Sequence, residues 1–250
     1  VIGNAELWWG DCREVLPLLP RVDLILTDPP YGLNEAAGKN RSRGSAQGAN
    51  KFKGSRNTTG AGISSTDFGE PSDWDSEPPA TWVIELMRAK AQWQIIFGGN
   101  YYPLPPSTCW LVWDKDNGET DFADCELAWT NLPKAVGRLR WMWNGMLQQD
   151  MANKEVREHP TQKPVPVMRW ALTQVSDAFT VCDPYMGSGT AGVACALEGR
   201  SFVGIERKRK YFDIACQRIY NAQCQSKLFG ADEDVQKVQP EQAVFGFPTE

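Results

Sequence analysis

The chain has 250 residues, 42% hydrophobic and 23% charged, which is ordinary globular usage and excludes a collagen-like, coiled-coil or globally disordered protein. Its net charge of −5 counts against a nucleic-acid partner only as an average, because phosphate contacts depend on where Lys and Arg lie. No apolar run approaches the roughly 20 residues needed to cross a bilayer, and no basic-then-apolar leader opens the chain, so a cytoplasmic protein is expected.

In chain order, Val22 to Thr27 is a β-rich apolar run halted by Asp28-Pro29-Pro30, which predicts a buried strand with Asp28 at its end. A loop from about 32 to 75 follows, too long for a simple connection. Between Leu33 and Gly60 its basic residues Lys39, Arg41, Arg43, Lys51, Lys53 and Arg56 face one acid, Glu35. That stretch carries +5 and leaves −10 for the rest. A helix is predicted over 80–91, a strand over 93–97, a Gly98-Gly99 turn and a strand over 108–113. The segment 114–157 has no clean period and carries Trp129, Trp141, Trp143, Arg138 and Arg140.

The last third alternates more clearly. A strand over 179–182 ends at Asp183, a helix spans 190–198, a strand over 201–205 ends at Glu206, and a helix spans 210–222, before a polar tail beyond Phe229. Strands alternating with helices imply an α/β fold with one mostly parallel sheet covered on both faces. The seven cysteines are odd in number and lack zinc-ligand spacing, and His159 is the single histidine, so a reducing compartment and no metal site are expected.

Two constellations carry chemistry. Gly187-Ser188-Gly189-Thr190-Ala191-Gly192 lies between a strand and a helix, with Glu206 ending the next strand. Glycines let a ligand approach the backbone, the helix start offers free N–H groups, and the acid can accept from ribose hydroxyls. Asp183 and Pro184 intervene before the glycines, and an acid there would repel a pyrophosphate. It suits a ligand with an ammonium or sulfonium group, such as S-adenosylmethionine. The second constellation is Asp28-Pro29-Pro30-Tyr31. An exocyclic base amine is a poor nucleophile because its lone pair is delocalised into the ring. A carboxylate at Asp28 and the Pro29 carbonyl, accepting its two hydrogens, would favour the sp³-like nitrogen as charge develops. Tyr31 offers a face on which a flipped base can stack.

Asp28 to Tyr31, then His159-Pro160-Thr161-Gln162-Lys163-Pro164, then Asp183 to Thr190 resemble, in that order, the β-class S-adenosylmethionine-dependent amino-methyltransferases of DNA. The resemblance spans about residues 7–220. It implies a doubly wound, Rossmann-like methyltransferase sheet entered at a permuted point, within a domain over 1–230 that includes the basic loop 32–75 and a short target-recognition insert over 114–157; the tail is 231–250. By the same likeness, Asp11 and Cys12 meet the cofactor adenine and Glu206 the ribose. His159, Thr161 and Lys163 close over the methionine end, and Asp183, Pro184, Tyr185, Gly187, Ser188, Gly189 and Thr190 form the cofactor turn. Asp at position 28 leans towards adenine N6, with cytosine N4 as the alternative. Both belong to DNA methylation of the restriction–modification or solitary, phage-borne kind.

The expected partner is double-stranded DNA, clamped by the basic loop and contacted by Arg138 and Arg140, with Trp141 and Trp143 either stacking on bases or forming a hydrophobic patch. Gln225 to Phe229 resembles the short peptides that dock on sliding clamps. The chain is expected to be a monomer or homodimer. C5 methylation is disfavoured because no cysteine follows a proline. From other classes, a dinucleotide-dependent oxidoreductase leaves Asp28 to Tyr31 unexplained, and a catalytically silent nucleic-acid-binding subunit is hard to reconcile with intact chemical motifs.

Overall fold

A computed structural model describes residues 1–33, 77–117, 123–144, 147–159 and 161–229. The basic-loop residues Lys39, Arg41, Arg43, Lys51, Lys53 and Arg56, and the tail, lie outside the described residues. The strands are β1 (Ala5–Trp9), β2 (Val22–Thr27), β3 (Ala91–Phe97), β4 (Trp110–Asp114), β5 (Cys125–Thr130), β6 (Gly137–Arg140), β7 (Trp143–Asn144), β8 (Leu147–Gln148), β9 (Thr180–Asp183) and β10 (Ser201–Glu206). The helices are α1 (Cys12–Val15), α2 (Thr81–Ala89), α3 (Val165–Thr173), α4 (Thr190–Leu197) and α5 (Arg209–Phe229).

Eight strands form one sheet in the order β1-β10-β9-β2-β3-β5-β4-β6, and β7 and β8 pair as a small hairpin. Within the main sheet only β5 runs against its neighbours, pairing antiparallel with β3 and β4. In β2, Leu24, Ile25 and Leu26 are wholly buried, as a parallel strand covered on both faces requires. One face packs against α3, α4 and α5 through residues such as Val167, Leu172, Ala194, Ala215 and Ile219. The other packs against α1 and α2 through Cys12, Val15, Val83, Ile84 and Met87.

The expectation of a mostly parallel sheet therefore holds, with several elements that local pattern did not reveal, β1, α3 and β5 among them. β1 pairs with β10 at the sheet edge. α3 starts at Val165, whose N–H donates to the Glu155 carboxylate at 3.0 Å. β5 lies within the segment without a period. The last helix runs to Phe229 rather than 222, so Gln225 to Phe229 form its final turns. Trp143 is only 8% exposed and Trp141 is partly buried, and both pack into the α3–α5 side of the core, which corrects their expected role as base-stacking surfaces. No helix among the described residues is long and apolar enough to cross a membrane. All seven cysteines are free thiols, and no described group of three or more His, Cys, Asp or Glu side chains could hold a metal ion.

Candidate active site

β9 and β2 are adjacent parallel strands, and from them the chain winds outwards in opposite directions, towards β10 on one side and β3 on the other. This is a topological switch point, where an open α/β sheet leaves a crevice at the carboxyl ends of its strands. Asp183 ends β9 and Asp28 follows β2, so sequence positions 155 residues apart meet at one crevice. The Thr27 hydroxyl joins them, donating to Asp183 Oδ1 at 2.6 Å.

A cleft of about 570 Å³ opens there. Of the residues expected at the site, it is lined by Asp11, Cys12, Asp28, Pro30, His159, Thr161, Lys163, Asp183, Pro184, Tyr185, Gly187, Ser188, Thr190 and Glu206. Pro29 and Tyr31 do not line it, and neither does Gly189. Its φ is +79°, and a Cβ there would stand 2.9 Å from Ala215 Cβ, so this glycine serves the turn and the approach of α5. Gly192 has the same packing role: a Cβ would meet Ile219 Cδ1 at 2.5 Å and Phe202 Cε1 at 2.7 Å.

In the glycine half of the cleft the acids are held mainly by backbone. Asp183 Oδ1 accepts from the Tyr185 N–H at 3.0 Å as well as from Thr27, and no described group donates to Oδ2. Burial pushes this carboxyl up to about 7, against the pull of those two hydrogen bonds. A cationic ligand group beside it would reverse that cost, so the donor set fits an ammonium or sulfonium. Glu206 accepts from the N–H groups of Gly187, at 3.1 Å, and Lys208, at 2.7 Å, and burial raises its pKa. Arg218 of α5 braces the turn from behind, donating to the Ser188 carbonyl at 2.7 Å and its hydroxyl at 2.8 Å. Asp11 caps α1 through the Arg13 N–H and is also paired with the Arg13 side chain at 2.6 Å. His159 lies edge-on to Tyr211 at 4.3 Å; burial and then nearby Lys163 and Arg157 hold its pKa down to about 3, so the ring is neutral.

The other half is built from side chains. Asp28 Oδ2 accepts from Lys163 Nζ at 2.6 Å, and Oδ1 accepts from the Tyr31 hydroxyl at 2.6 Å. Lys163 Nζ also donates to Glu126 Oε2 at 2.8 Å and to the Tyr31 oxygen at 3.2 Å. Lys115 closes the row on Glu126 Oε1 at 2.5 Å. Two carboxylates and two ammonium groups thus alternate along one line. Burial opposes the Lys163 charge, but Asp28 and Glu126 outweigh it and raise its pKa. Burial likewise opposes the Glu126 charge, yet Lys163 and Lys115 bring that carboxyl down to about 2. Asp28 is raised by burial, against Lys163.

The sequence expectation named neither Glu126 nor Lys115, and it placed Lys163 at the cofactor, whereas Lys163 touches Asp28 while still lining the cleft. The Pro29 carbonyl, expected as an open acceptor, already accepts from the buried Tyr102 hydroxyl at 2.8 Å. Tyr31 stacks on Tyr101, with ring centroids 4.9 Å apart and planes 21° off parallel. Arg138 and Arg140 are not brought to the cleft. They lie on β6 at the far edge of the sheet, where Arg140 pairs with Asp116.

A family model described as DNA methylase matches residues 108–217. The type II methyltransferase M2.LlaDCHI of Lactococcus lactis subsp. cremoris is 35% identical over 83 residues, which is 33% of this chain and 30% of that protein. The match thus spans less than a third of that relative's length. The type II methyltransferase M.HinfI of Haemophilus influenzae is 25% identical across 84% of this chain and 67% of its own. Among solved structures, the PvuII DNA methyltransferase, described as cytosine-N4-specific, superposes with a TM-score of 0.53 over 90% of this chain and 94% of that one, at 16% identity. That last likeness is one of fold.

Proposed function

We propose that this chain, which is similar to the amino-methyltransferases of DNA, transfers a methyl group from S-adenosylmethionine to the exocyclic N6 amine of an adenine flipped out of double-stranded DNA. The observation that carries this reading is the meeting of the two motifs: Asp183, in a glycine-lined cleft, and Asp28, in the Asp-Pro-Pro-Tyr turn, stand at the ends of adjacent strands with Thr27 between them.

S-adenosylmethionine supplies an electrophilic methyl group bonded to a cationic sulfur. Asp183 and the turn around Gly187 would hold the cationic end, and Glu206 would accept from the ribose hydroxyls. Asp28 accepts one amine hydrogen and so would stabilise the positive charge that develops on nitrogen as its bond to the methyl carbon forms and the methyl–sulfur bond breaks, leaving a neutral thioether; the proton lost by the nitrogen would pass to the Asp28 carboxylate and from there to solvent. Both strand ends belong to one rigid sheet, which fixes the line from donor to acceptor and supplies the positioning. Tyr31 already has one face stacked on Tyr101, so a base would meet the ring from its other side. The neutral His159 takes no proton.

The choice of adenine is supported by the resemblance, in which Asp at the first motif position leans that way. The basic stretch from Lys39 to Arg56 would supply phosphate contacts that the acidic body lacks. The test is to incubate DNA with the protein and methyl-labelled S-adenosylmethionine, digest part to nucleosides for mass spectrometry, and sequence the rest for modified sites. N6-methyladenine at a recurring sequence is the expected product. N4-methylcytosine would move the assignment to the other base, and unlabelled DNA would overturn the reading.

A further inference from the structure

Lys163 has three ammonium protons, and each has an acceptor: Asp28 Oδ2 at 2.6 Å, Glu126 Oε2 at 2.8 Å and the Tyr31 oxygen at 3.2 Å. Tyr31 uses its own proton on Asp28 Oδ1. Both oxygens of the catalytic carboxylate are therefore already engaged, each by one donor, before any base arrives. Asp28 and Lys163 line the cleft together, so an amine that takes the place of Lys163 on Oδ2 displaces one ammonium proton, and the Lys163 side chain is only 5% exposed, with little water beside it. A buried donor left without an acceptor is costly, the more so when it is charged. The entering base can itself bring the acceptor. In adenine the ring atom beside the amine on the Watson–Crick edge is N1, and in cytosine it is N3, and both are lone-pair acceptors. Guanine and thymine present an N–H in that place, donor against donor.

Resting on the amine-methylation reading above, we propose that Lys163 is a specificity residue for the target base, donating to the ring nitrogen beside the amine, and that Glu126 is its positioning residue. Asp28 and Lys163 then form an acceptor and a donor side by side, the same pair that the lost Watson–Crick partner presented to the base. Glu126 makes the exchange feasible. With Asp28 as its sole counter-ion, a buried Lys163 would be locked onto it; with Glu126 also bound to it, the ammonium keeps a carboxylate while it changes its other partner. Lys115 on the opposite oxygen fixes Glu126 in turn.

The experiment replaces single atoms of the base. The wild-type protein is given duplex oligonucleotides carrying the site mapped by sequencing, with the target as adenine, 1-deazaadenine or 7-deazaadenine, or as cytosine and 3-deazacytosine if the product is N4-methylcytosine. Loss of N1 is expected to lower kcat/KM about 10- to 100-fold, the range for a hydrogen bond to a charged donor, and loss of N7 less than about threefold. The same pair of substrates is then given to Lys163→Met, in which the penalty for losing N1 should vanish. Absence of a penalty in the wild type, or an equal one in Lys163→Met, overturns the proposal. Should Lys163→Met fail to fold or turn over, Glu126→Gln, which keeps the shape and the lysine, is expected to shrink the N1 penalty at least threefold with cofactor affinity within about twofold; an unchanged penalty there removes the positioning role. Failure to methylate unmodified DNA would instead sink the amine-methylation reading, and is seen before any analogue is used.

Discussion

The two halves of the cleft hold their carboxylates by different means. Asp183 and Glu206 are held by backbone N–H groups within a few residues of themselves or of the glycine turn, with Thr27 as the single side chain. Asp28 has both oxygens taken by side chains, one from its own turn and one from Lys163, 135 residues further on, which is itself held by Glu126, and that in turn by Lys115. Backbone geometry gives a rigid cradle whose acids keep accessible lone pairs for a ligand. A row of alternating charges gives a site that is satisfied when empty and changes partners when it fills. The first suits a cofactor that binds in one pose; the second suits a base that must be admitted and then released.

Separating the halves by mutation breaks this comparison if it is wrong. Asp28→Asn should lower methyl transfer by about 10²- to 10³-fold, the cost of losing one preorganised charge-stabilising group. Cofactor affinity should change less than about twofold, because no hydrogen bond to Asp183 or Glu206 involves Asp28. A parallel fall in both, measured by single-turnover transfer and by binding, would show that the halves are not separate.

Gly189→Ala attacks the other half through the backbone. A side chain at φ +79° is strained and meets Ala215, so the loss of stability is expected to be about 2–4 kcal/mol, read by chemical denaturation. A neutral result would mean that α4 and α5 can part without cost.

The pH dependence sharpens the comparison further. The Asp183 carboxyl holds its proton more tightly in the folded chain, with a pKa of about 7 against an ordinary 3.8. The associated contribution to the stability of the ligand-free protein is therefore complete below about pH 4 and is lost as pH rises through about 7. Binding of a cation that needs the carboxylate runs the other way. Affinity for S-adenosylmethionine should weaken by up to about tenfold per unit as pH falls below 7, with proton release on binding in calorimetry. Affinity flat from pH 5 to 8 would remove Asp183 from the cationic end of the cofactor. The smallest effect concerns DNA alone. Replacing Lys51, Lys53 and Arg56 with Ala should reduce the slope of log affinity against log salt by roughly 0.9 for each phosphate that is no longer neutralised. An unchanged slope would show that these charges do not touch the backbone of DNA.

The same contrast explains what could be read from the sequence. The glycine turn, Asp183, Glu206 and Asp28 are legible because each is fixed by its immediate neighbours: an apolar run, then an acid, then glycines or prolines whose dihedral limits are local. Glu126 and Lys115 were not legible. They meet because β5 runs antiparallel between β3 and β4, placing Glu126 opposite Trp113 and Cys125 opposite Asp114, a register set by pairing across the sheet. Cys125 to Thr130 offers no alternation of polar and apolar residues to announce such a strand. Tyr102 was hidden for the same reason, since its hydroxyl reaches Pro29 across 73 residues. The tryptophans misled because a large aromatic in a segment without a period reads equally as surface or core, and here β7 carries Trp143 inwards.

On the proposed reading, the cleft at the β9–β2 switch point takes a cationic cofactor and not a dinucleotide. Equilibrium dialysis of the protein against labelled S-adenosylmethionine and against NAD, side by side, tests this most directly. The expected result is about one S-adenosylmethionine retained per chain and no NAD, because a carboxylate at Asp183 in the cleft would repel a pyrophosphate. Retention of NAD without S-adenosylmethionine would contradict it.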